Sequence, residues 1–151
     1  MDEGRENEVV TRLARVGYDN AMGYLSGGIK SWKNAGNTVA SIKSISAQEF
    51  AEIAKDKVNI LDVRKESEFF SEHIVGAENM PLDFVYKQFS SLSKEETKYV
   101  HCAGGYRSMI FSSILHKKGY HNLINIEGGF DAIKASGEFE LTEYVCPTTM
   151  L

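Results

Sequence analysis

The sequence has few of the residues that mark a disulfide-stapled or metal-stapled protein. It contains two cysteines, 44 positions apart, which is too few for a disulfide framework and fits the thiols of a reducing compartment. Its four histidines are scattered singly, and no Cys-x-x-Cys or His-x-His pair offers the ligand spacing of a structural zinc site. We therefore expect a cytoplasmic protein with no bound metal and no cofactor.

Long apolar runs and basic runs are also missing. No stretch approaches the length needed to span a bilayer, and the acidic N-terminus, MDEGRENEVV, lacks the regions of a signal peptide. The formal net charge is −4, and no cluster of lysines and arginines forms a basic face. Because phosphate-rich partners require such a face, neither nucleic acid nor membrane is an expected partner.

The elements that are present alternate between strand and helix. The 151 residues, 42% of them hydrophobic, suffice for one domain with a full core. We predict strands at 39–42, 58–63, 98–102 and 123–126, a brief strand before Pro81, and helices at 46–54, 83–89, 108–118 and 130–135. The charged segment RKESEFFSEH, from Arg64, is interpreted as an exposed short helix. This order predicts an α/β fold with a mostly parallel sheet covered by helices on both faces.

Two segments of the chain are repeats of each other. GYDNAMGYLSGGIKSWKNAG, at 17–36, and GYHNLINIEGGFDAIKASG, at 119–137, share Gly-Tyr, Asn, Gly-Gly, Lys and a terminal glycine once a one-residue difference in length is allowed. Extending the alignment backwards places Met1 on Ala103. We interpret the first segment as part of an upstream copy of one module, with the chain being a piece of a longer protein. The alternative is a private N-terminal helix and strand that resemble the later ones.

The repeat divides the chain into three predicted parts. Residues 1–38 are the C-terminal remnant of the upstream copy, residues 39–140 are the complete module, and residues 141–151 are a tail. The remnant carries apolar side chains without the sheet that they would cover, and an exposed apolar patch favours association. We therefore expect these side chains to pack on the module or on another chain, a homodimer being the simplest assembly.

The stretch YVHCAGGYRS, at 99–108, carries the clearest chemical signal. Cys102 ends a predicted strand, at the sheet edge where parallel sheets bind ligands. The following helix N-terminus stabilises a thiolate, and the glycines at 104 and 105 free their backbone amides to form an anion-binding nest. Arg107 adds a planar cation. The loop therefore predicts a cradle for an anionic sulfur or oxyanion on Cys102; the alternative is a buried, inert cysteine.

Four motifs together resemble a known family. ILDVR (60–64), HIVGAENMPL (73–82), HCAGGYRS (101–108) and GGFDAI (128–133) occur in the order and spacing of the rhodanese-like sulfurtransferase domain, across residues 42–137. The resemblance implies a five-stranded parallel sheet with helices on both faces. It also implies a cysteine persulfide that moves sulfane sulfur from a thiosulfate or persulfide donor to a thiol or cyanide.

The resemblance also assigns roles to single residues. Cys102 becomes the nucleophile, and Arg107 orients the anionic donor. The residues implied to form the loop that holds the persulfide are Ala103, Gly104, Gly105, Tyr106 and Arg107. Asp62 and Arg64 are implied to support this loop from beside it. Tyr106 could gate the pocket or could be a surface aromatic, and Ile133 departs from the tryptophan that the family usually has.

Two other residues, His101 and Cys146, could take part in chemistry at Cys102. His101 precedes the cysteine, but neighbouring residues of a strand point to opposite faces, so we expect it to pack beneath the sheet. Cys146 in the tail could resolve a persulfide, although a cysteine without a positive neighbourhood is more often a bystander.

Other functions remain as alternatives. Related phosphatases and arsenate reductases use Cys-x5-Arg, whereas this chain has Cys-x4-Arg, which favours sulfur over a tetrahedral oxyanion. A non-catalytic rhodanese-fold interaction module would lack the cysteine. The partial copy followed by a complete one also resembles the tandem C-terminal region of fusions with a metallo-β-lactamase-fold hydrolase of the persulfide dioxygenase type. That resemblance implies an upstream metallo-hydrolase domain in the parent protein.

Overall fold

The structure is a computed structural model that describes residues 4–14 and 19–146. It divides into two compact units, Met1–Ser41 and Ile42–Leu151. Gly17 and Tyr18, which open the first repeat, lie outside the described residues, as do Met1 and the end of the tail. Among the described residues, no helix has both the length and the apolar character required for a membrane crossing.

The first unit contains two helices, α1 (Glu6–Ala14) and α2 (Gly28–Asn34). Helix α2 begins after Gly27 in the left-handed conformation, and the Trp32 indole donates a hydrogen bond to the Thr38 carbonyl oxygen at 2.9 Å. Leu25, Ile29 and Trp32 line a shallow apolar depression on this unit. The unit therefore presents apolar side chains on a short helical frame.

The second unit is an α/β sandwich built on five strands and five helices, with short 3₁₀ turns on both sides of α5. The strands are β1 (Lys43–Ile45), β2 (Asn59–Asp62), β3 (Glu78–Asn79), β4 (Lys98–His101) and β5 (Leu123–Ile126). The helices are α3 (Ala47–Ile53), α4 (Glu66–Ser71), α5 (Val85–Gln88), α6 (Tyr106–Lys117) and α7 (Gly129–Ser136). All strands are parallel, in the order β1-β5-β4-β2-β3. The predicted five-stranded parallel sheet is confirmed.

Successive strand residues face opposite sides of the sheet and build two cores. Leu61 and Val100 join the core beneath α6, which also contains Cys102 and Phe111. Their neighbours on the other face belong to a second core with α3 and α7, which contains Ile60, Tyr99, Phe50, Phe130 and Ile133. Ile133 is fully buried, so an aliphatic side chain fills the place where the family usually has tryptophan.

Two predictions for individual elements were wrong. The first strand lies at Lys43–Ile45 rather than at 39–42, because it pairs with β5 and ends directly at the Ser46 helix cap. Helix α4 is only partly exposed, since Phe69 and Ser71 are buried. The charged residues of α4 favoured an exposed helix, although the adjacent apolar residues Phe69 and Phe70 indicated a buried side.

The two repeats share an unusual backbone at their paired glycines. Gly27 and Gly28 have φ values of 72° and 56°, and Gly128 and Gly129 have φ values of 72° and 57°. Both pairs open a helix, α2 in the first unit and α7 in the second. The sequence similarity therefore extends to local conformation.

Candidate active site

Cys102 lies immediately after β4, the central strand of the sheet, and its side chain is almost fully buried. The Gly105 amide donates a hydrogen bond to the Cys102 sulfur at 3.2 Å. Gly105 has a φ of 96°, which other residues rarely adopt, and this conformation turns its amide toward the sulfur. Helix α6 begins one residue later, so its first amides have no acceptor within the helix. The loop therefore places one backbone donor on the sulfur, directly before the N-terminus of α6.

A series of hydrogen-bonded polar side chains leads from the sulfur into the sheet. The Ser108 hydroxyl lies 3.6 Å from the Cys102 sulfur and donates to the side-chain oxygen of Asn125 at 2.7 Å. The Asn125 amide in turn donates to the Ser44 hydroxyl at 3.2 Å. Ser108 and Asn125 are themselves buried, so these hydrogen-bonded side chains hold the sulfur in place from the side of the sheet.

The loop rests on the start of α7. Phe130 and Asp131 donate backbone hydrogen bonds to the carbonyl oxygens of Cys102 and Ala103, at 2.7 and 3.1 Å. This approach requires glycine at position 129, because a Cβ there would lie 2.4 Å from both oxygens. The Gly-Gly motif at 128–129 therefore lets the loop after Cys102 pack against the start of α7.

Arg107 is held by an acidic partner on α4. Its two terminal nitrogens donate to the two carboxylate oxygens of Glu68 at 2.6 and 2.8 Å. This bidentate pair lowers the pKa of Glu68 and raises the pKa of Arg107 above its ordinary value. Glu68 also accepts a hydrogen bond from the Lys65 amide at 3.2 Å, so its carboxylate is fixed on both sides.

Asp62 and Arg64 form a buried ion pair at the end of β2. The Arg64 guanidinium donates to the Asp62 carboxylate, with a shortest distance of 2.6 Å, and to the Glu72 carbonyl oxygen at 2.8 Å. It also stacks on the ring of Phe130, 4.0 Å from the centroid. The Phe130 amide donates a hydrogen bond to the Cys102 carbonyl oxygen. The Asp62–Arg64 ion pair therefore supports the loop indirectly, through its contact with Phe130 of α7.

His101 is fully buried on the sheet face opposite Cys102, where its ring stacks on Phe130. Its Nε2 atom lies 3.9 Å from the Asp62 carboxylate and has no hydrogen-bond partner among the described residues. Burial lowers the pKa of His101, which favours the neutral ring. The side chain therefore belongs to the packing beneath the loop.

The structure brings the predicted loop residues together around Cys102, while their functional roles stay predictions. Gly104 is exposed and Ala103 is half-buried, whereas the Tyr106 side chain is 79% exposed at the start of α6. The sequence did not point to four residues that support this loop: Glu68, Ser108 and Asp131 contact the loop or Arg107, and Asn125 acts through Ser108. Asn125 left a signal, since it is the one polar residue in the apolar strand LINI.

The chain is similar in sequence and structure to known proteins. The model of the Rhodanese-like domain matches residues 46–136, more than half of the chain. A putative sulfur carrier protein of Bacillus subtilis, YrkF, is 30% identical over 102 residues, which cover 66% of this chain and 55% of that protein. The chain thus spans only about half the length of this relative.

Matches to two further proteins extend over most of the length of those proteins. The thiosulfate sulfurtransferase GlpE of Coxiella burnetii is 29% identical over 94 residues, which cover 62% of this chain and 88% of that enzyme. A crystal structure of a rhodanese-related protein from Thermoplasma volcanium is 27% identical with a TM-score of 0.61, and the match covers 66% of this chain and 97% of that one.

Proposed function

Because this chain belongs to the rhodanese-like family, we propose that it is a sulfurtransferase in which Cys102 carries sulfane sulfur as a persulfide. One observation carries the proposal: the buried Cys102 sulfur accepts a hydrogen bond from the Gly105 amide at 3.2 Å, directly before the N-terminus of α6. Such donors stabilise an anionic sulfur without occupying the space above it.

In the first step, the Cys102 thiolate attacks the outer sulfur of the donor. With thiosulfate, the sulfur–sulfur bond of the donor breaks, sulfite leaves with the bonding electrons, and Cys102 becomes a persulfide anion. With an organic persulfide, a thiolate leaves instead. In the second step, a thiol or cyanide attacks the outer sulfur of the Cys102 persulfide and releases the Cys102 thiolate.

The surrounding residues support both steps without reacting. Gly105 and the first amides of α6 stabilise charge on the sulfur, and Ser108 positions it from below. Arg107, fixed by Glu68, has further N–H groups that can meet an anionic donor. Asp62 and Arg64 hold the start of α7, on which the loop rests.

A sulfur-transfer assay tests the proposal. Thiosulfate or glutathione persulfide serves as donor and cyanide as acceptor, and thiocyanate formation is followed for the wild-type chain and for Cys102→Ser. We expect turnover that depends on Cys102 and no release of phosphate from p-nitrophenyl phosphate. Phosphate release without thiocyanate formation would favour the phosphatase alternative, and no turnover of either kind would favour a non-catalytic module.

We further propose that residues 1–38 are the C-terminal part of a second copy of this domain. The glycines of its GG motif have φ values within 1° of those of Gly128 and Gly129. A Cβ at Gly28 meets no described atom within 4 Å, whereas a Cβ at Gly129 meets the catalytic loop. The two glycine pairs thus share this conformation, and among the described residues a loop packs against the second pair.

The parent reading frame tests this second proposal. We expect it to encode, upstream of residue 1, a further loop of the YVHCAGGYRS type, and we propose a metallo-β-lactamase-fold domain before that. A start codon at Met1 with no homologous sequence upstream would contradict the repeat interpretation.

A further inference from the structure

The ion pair between Arg107 and Glu68 is more closely built than an ordinary surface pair. Both terminal nitrogens of Arg107 donate to the Glu68 carboxylate, at 2.6 and 2.8 Å. The two side chains are only 30% and 35% exposed. Because the pair is bidentate and partly shielded from water, its charges interact more strongly than those of a fully exposed pair.

Helix α4 holds the Glu68 carboxylate independently of Arg107. The Lys65 amide donates to this carboxylate at 3.2 Å, in the capping box that opens the helix. The next residue, Phe69, is buried and anchors the same turn of the helix. Glu68 is therefore a fixed acceptor, and the guanidinium of Arg107 is oriented by it.

Arg107 also interacts with the Cys102 side chain. The hydrogen bonds to Glu68 raise the pKa of Arg107 above its ordinary value, and the Cys102 side chain contributes to the same rise. The guanidinium thus acts on the sulfur and on the carboxylate together. Since one carries a positive and the other a negative charge, Arg107 and Glu68 have no net charge as a pair.

This balance bears on the charge of the sulfur donor. Thiosulfate carries two negative charges, whereas an organic thiosulfonate or persulfide carries one on its sulfur group. Attraction to Arg107 is offset for either donor by repulsion from Glu68, and the repulsion doubles when the charge of the donor doubles. A carboxylate fixed on the arginine therefore lowers the advantage that a dianion would otherwise have.

We infer that Glu68 is a specificity residue that offsets the charge of Arg107 and directs the enzyme toward sulfur donors with a single negative charge, such as organic persulfides and thiosulfonates. This inference rests on the proposed sulfurtransferase function and on the role proposed there for Arg107. It adds the charge class of the donor. Glu68 acts through Arg107 and takes no part in the bond changes.

Two donors with the same reacting group test the inference. Thiosulfate and benzenethiosulfonate both carry an outer sulfur on a sulfonyl-type sulfur, and they differ by one negative charge. The Cys102 thiolate attacks the outer sulfur, the sulfur–sulfur bond of the donor breaks, and sulfite or benzenesulfinate leaves with the bonding electrons. No oxidant or reductant is needed, because one sulfur–sulfur bond replaces another.

The measured quantity is the donor ratio, defined as the second-order rate of Cys102 persulfide formation with thiosulfate divided by the rate with benzenethiosulfonate. Rapid quenching and intact-protein mass spectrometry give both rates at low salt. Removing one charge about 7 Å from the additional charge of thiosulfate, at an effective dielectric constant of about 50, changes a rate about fivefold. Glu68→Gln should therefore raise the donor ratio about fivefold.

Glutamine preserves the shape of the site, since its side-chain oxygen can accept from both Arg107 and the Lys65 amide. The matched control is Glu66→Gln, which removes a charge from the same first turn of α4 at an exposed position. This control should keep the donor ratio of the wild-type chain. Arg107→Gln should shift the ratio in the opposite direction, because it leaves the Glu68 charge unbalanced.

Salt provides a readout that a purely structural role of Glu68 would not move. In about 0.5 M salt, the difference in donor ratio between Glu68→Gln and the wild-type chain should shrink to less than about twofold. A loss of packing in the variant would lower the rates with both donors alike, at low and at high salt.

The outcomes separate this inference from the proposed function. A donor ratio that Glu68→Gln leaves unchanged, or that Glu66→Gln raises equally, would overturn the inference and leave the sulfurtransferase intact. No persulfide on Cys102 with either donor would refute both.

Discussion

The Gly-Gly turn at 128–129 packs directly against the loop that follows Cys102. In Gly129→Ala, the new Cβ would lie 2.4 Å from the carbonyl oxygens of Cys102 and Ala103, at a φ of 57°. The left-handed conformation costs alanine roughly 1–2 kcal/mol. Separating the loop from α7 also breaks the hydrogen bonds at 2.7 and 3.1 Å, each worth about 1 kcal/mol.

The free energy of unfolding should therefore fall by about 3–4 kcal/mol, a large fraction of the 5–15 kcal/mol that is typical of a domain. Gly137→Ala is the matched control, because Gly137 caps the C-terminus of the same helix with a φ of 69° and its Cβ would meet nothing within 4 Å. This control should lose only about 1–2 kcal/mol. The difference between the two losses of stability is the free-energy cost of the contact with the loop, because both variants share the cost of the left-handed conformation.

Urea unfolding followed by far-ultraviolet circular dichroism gives both values. Tryptophan fluorescence is unsuitable, because the single tryptophan, Trp32, lies in the first unit. Gly129→Ala should also slow persulfide formation on Cys102, since the loop carbonyls that must move belong to Cys102 and Ala103. Equal losses of stability in the two variants, or full activity in Gly129→Ala, would refute this reasoning.

Three further predictions concern the buried groups around the loop. Ser108→Ala removes the hydroxyl that lies 3.6 Å from the Cys102 sulfur, and sulfur transfer at saturating donor should fall about tenfold. Arg64→Lys loses the bidentate contacts to Asp62 and the stacking on Phe130, which should cost about 2 kcal/mol in urea unfolding. Burial lowers the pKa of His101 from 6.5, so the folded state binds fewer protons than the unfolded chain. Stability should therefore fall as the pH falls below 6.5, by up to about 1.4 kcal/mol per pH unit until the folded pKa is reached. His101→Phe should lack this part of the acid sensitivity when unfolding is measured at about pH 7.5 and pH 5.5.

The fold could be predicted from the sequence because its signals are local. The β-branched run at Asn59–Asp62 and the SAQE capping box mark elements whose residues are neighbours in the chain. The first strand was placed too early because its position depends on pairing with β5, about 80 residues away. The apolar residues around β1 do not by themselves determine which of them pair with β5.

The loop could be predicted from its own residues, whereas its supports could not. Cys102, the two glycines and Arg107 lie within six positions of one another. Glu68 reaches Arg107 from α4, 39 positions away, and appears in the sequence only as one of several exposed charges. Asn125 reaches Ser108 across 17 positions. Such contacts follow from the order of the strands, which brings separate segments to one edge of the sheet.

Cys102 is expected to carry sulfur as a persulfide, and intact-protein mass spectrometry tests this most directly. After incubation with thiosulfate or an organic persulfide and removal of the excess donor, the protein should gain about 32 Da, the mass of one sulfur atom. Peptide mapping should place this gain on Cys102; Cys146→Ser should retain it, and Cys102→Ser should lose it. A protein that gains no mass with any sulfane donor, or that gains it only on Cys146, would contradict the account.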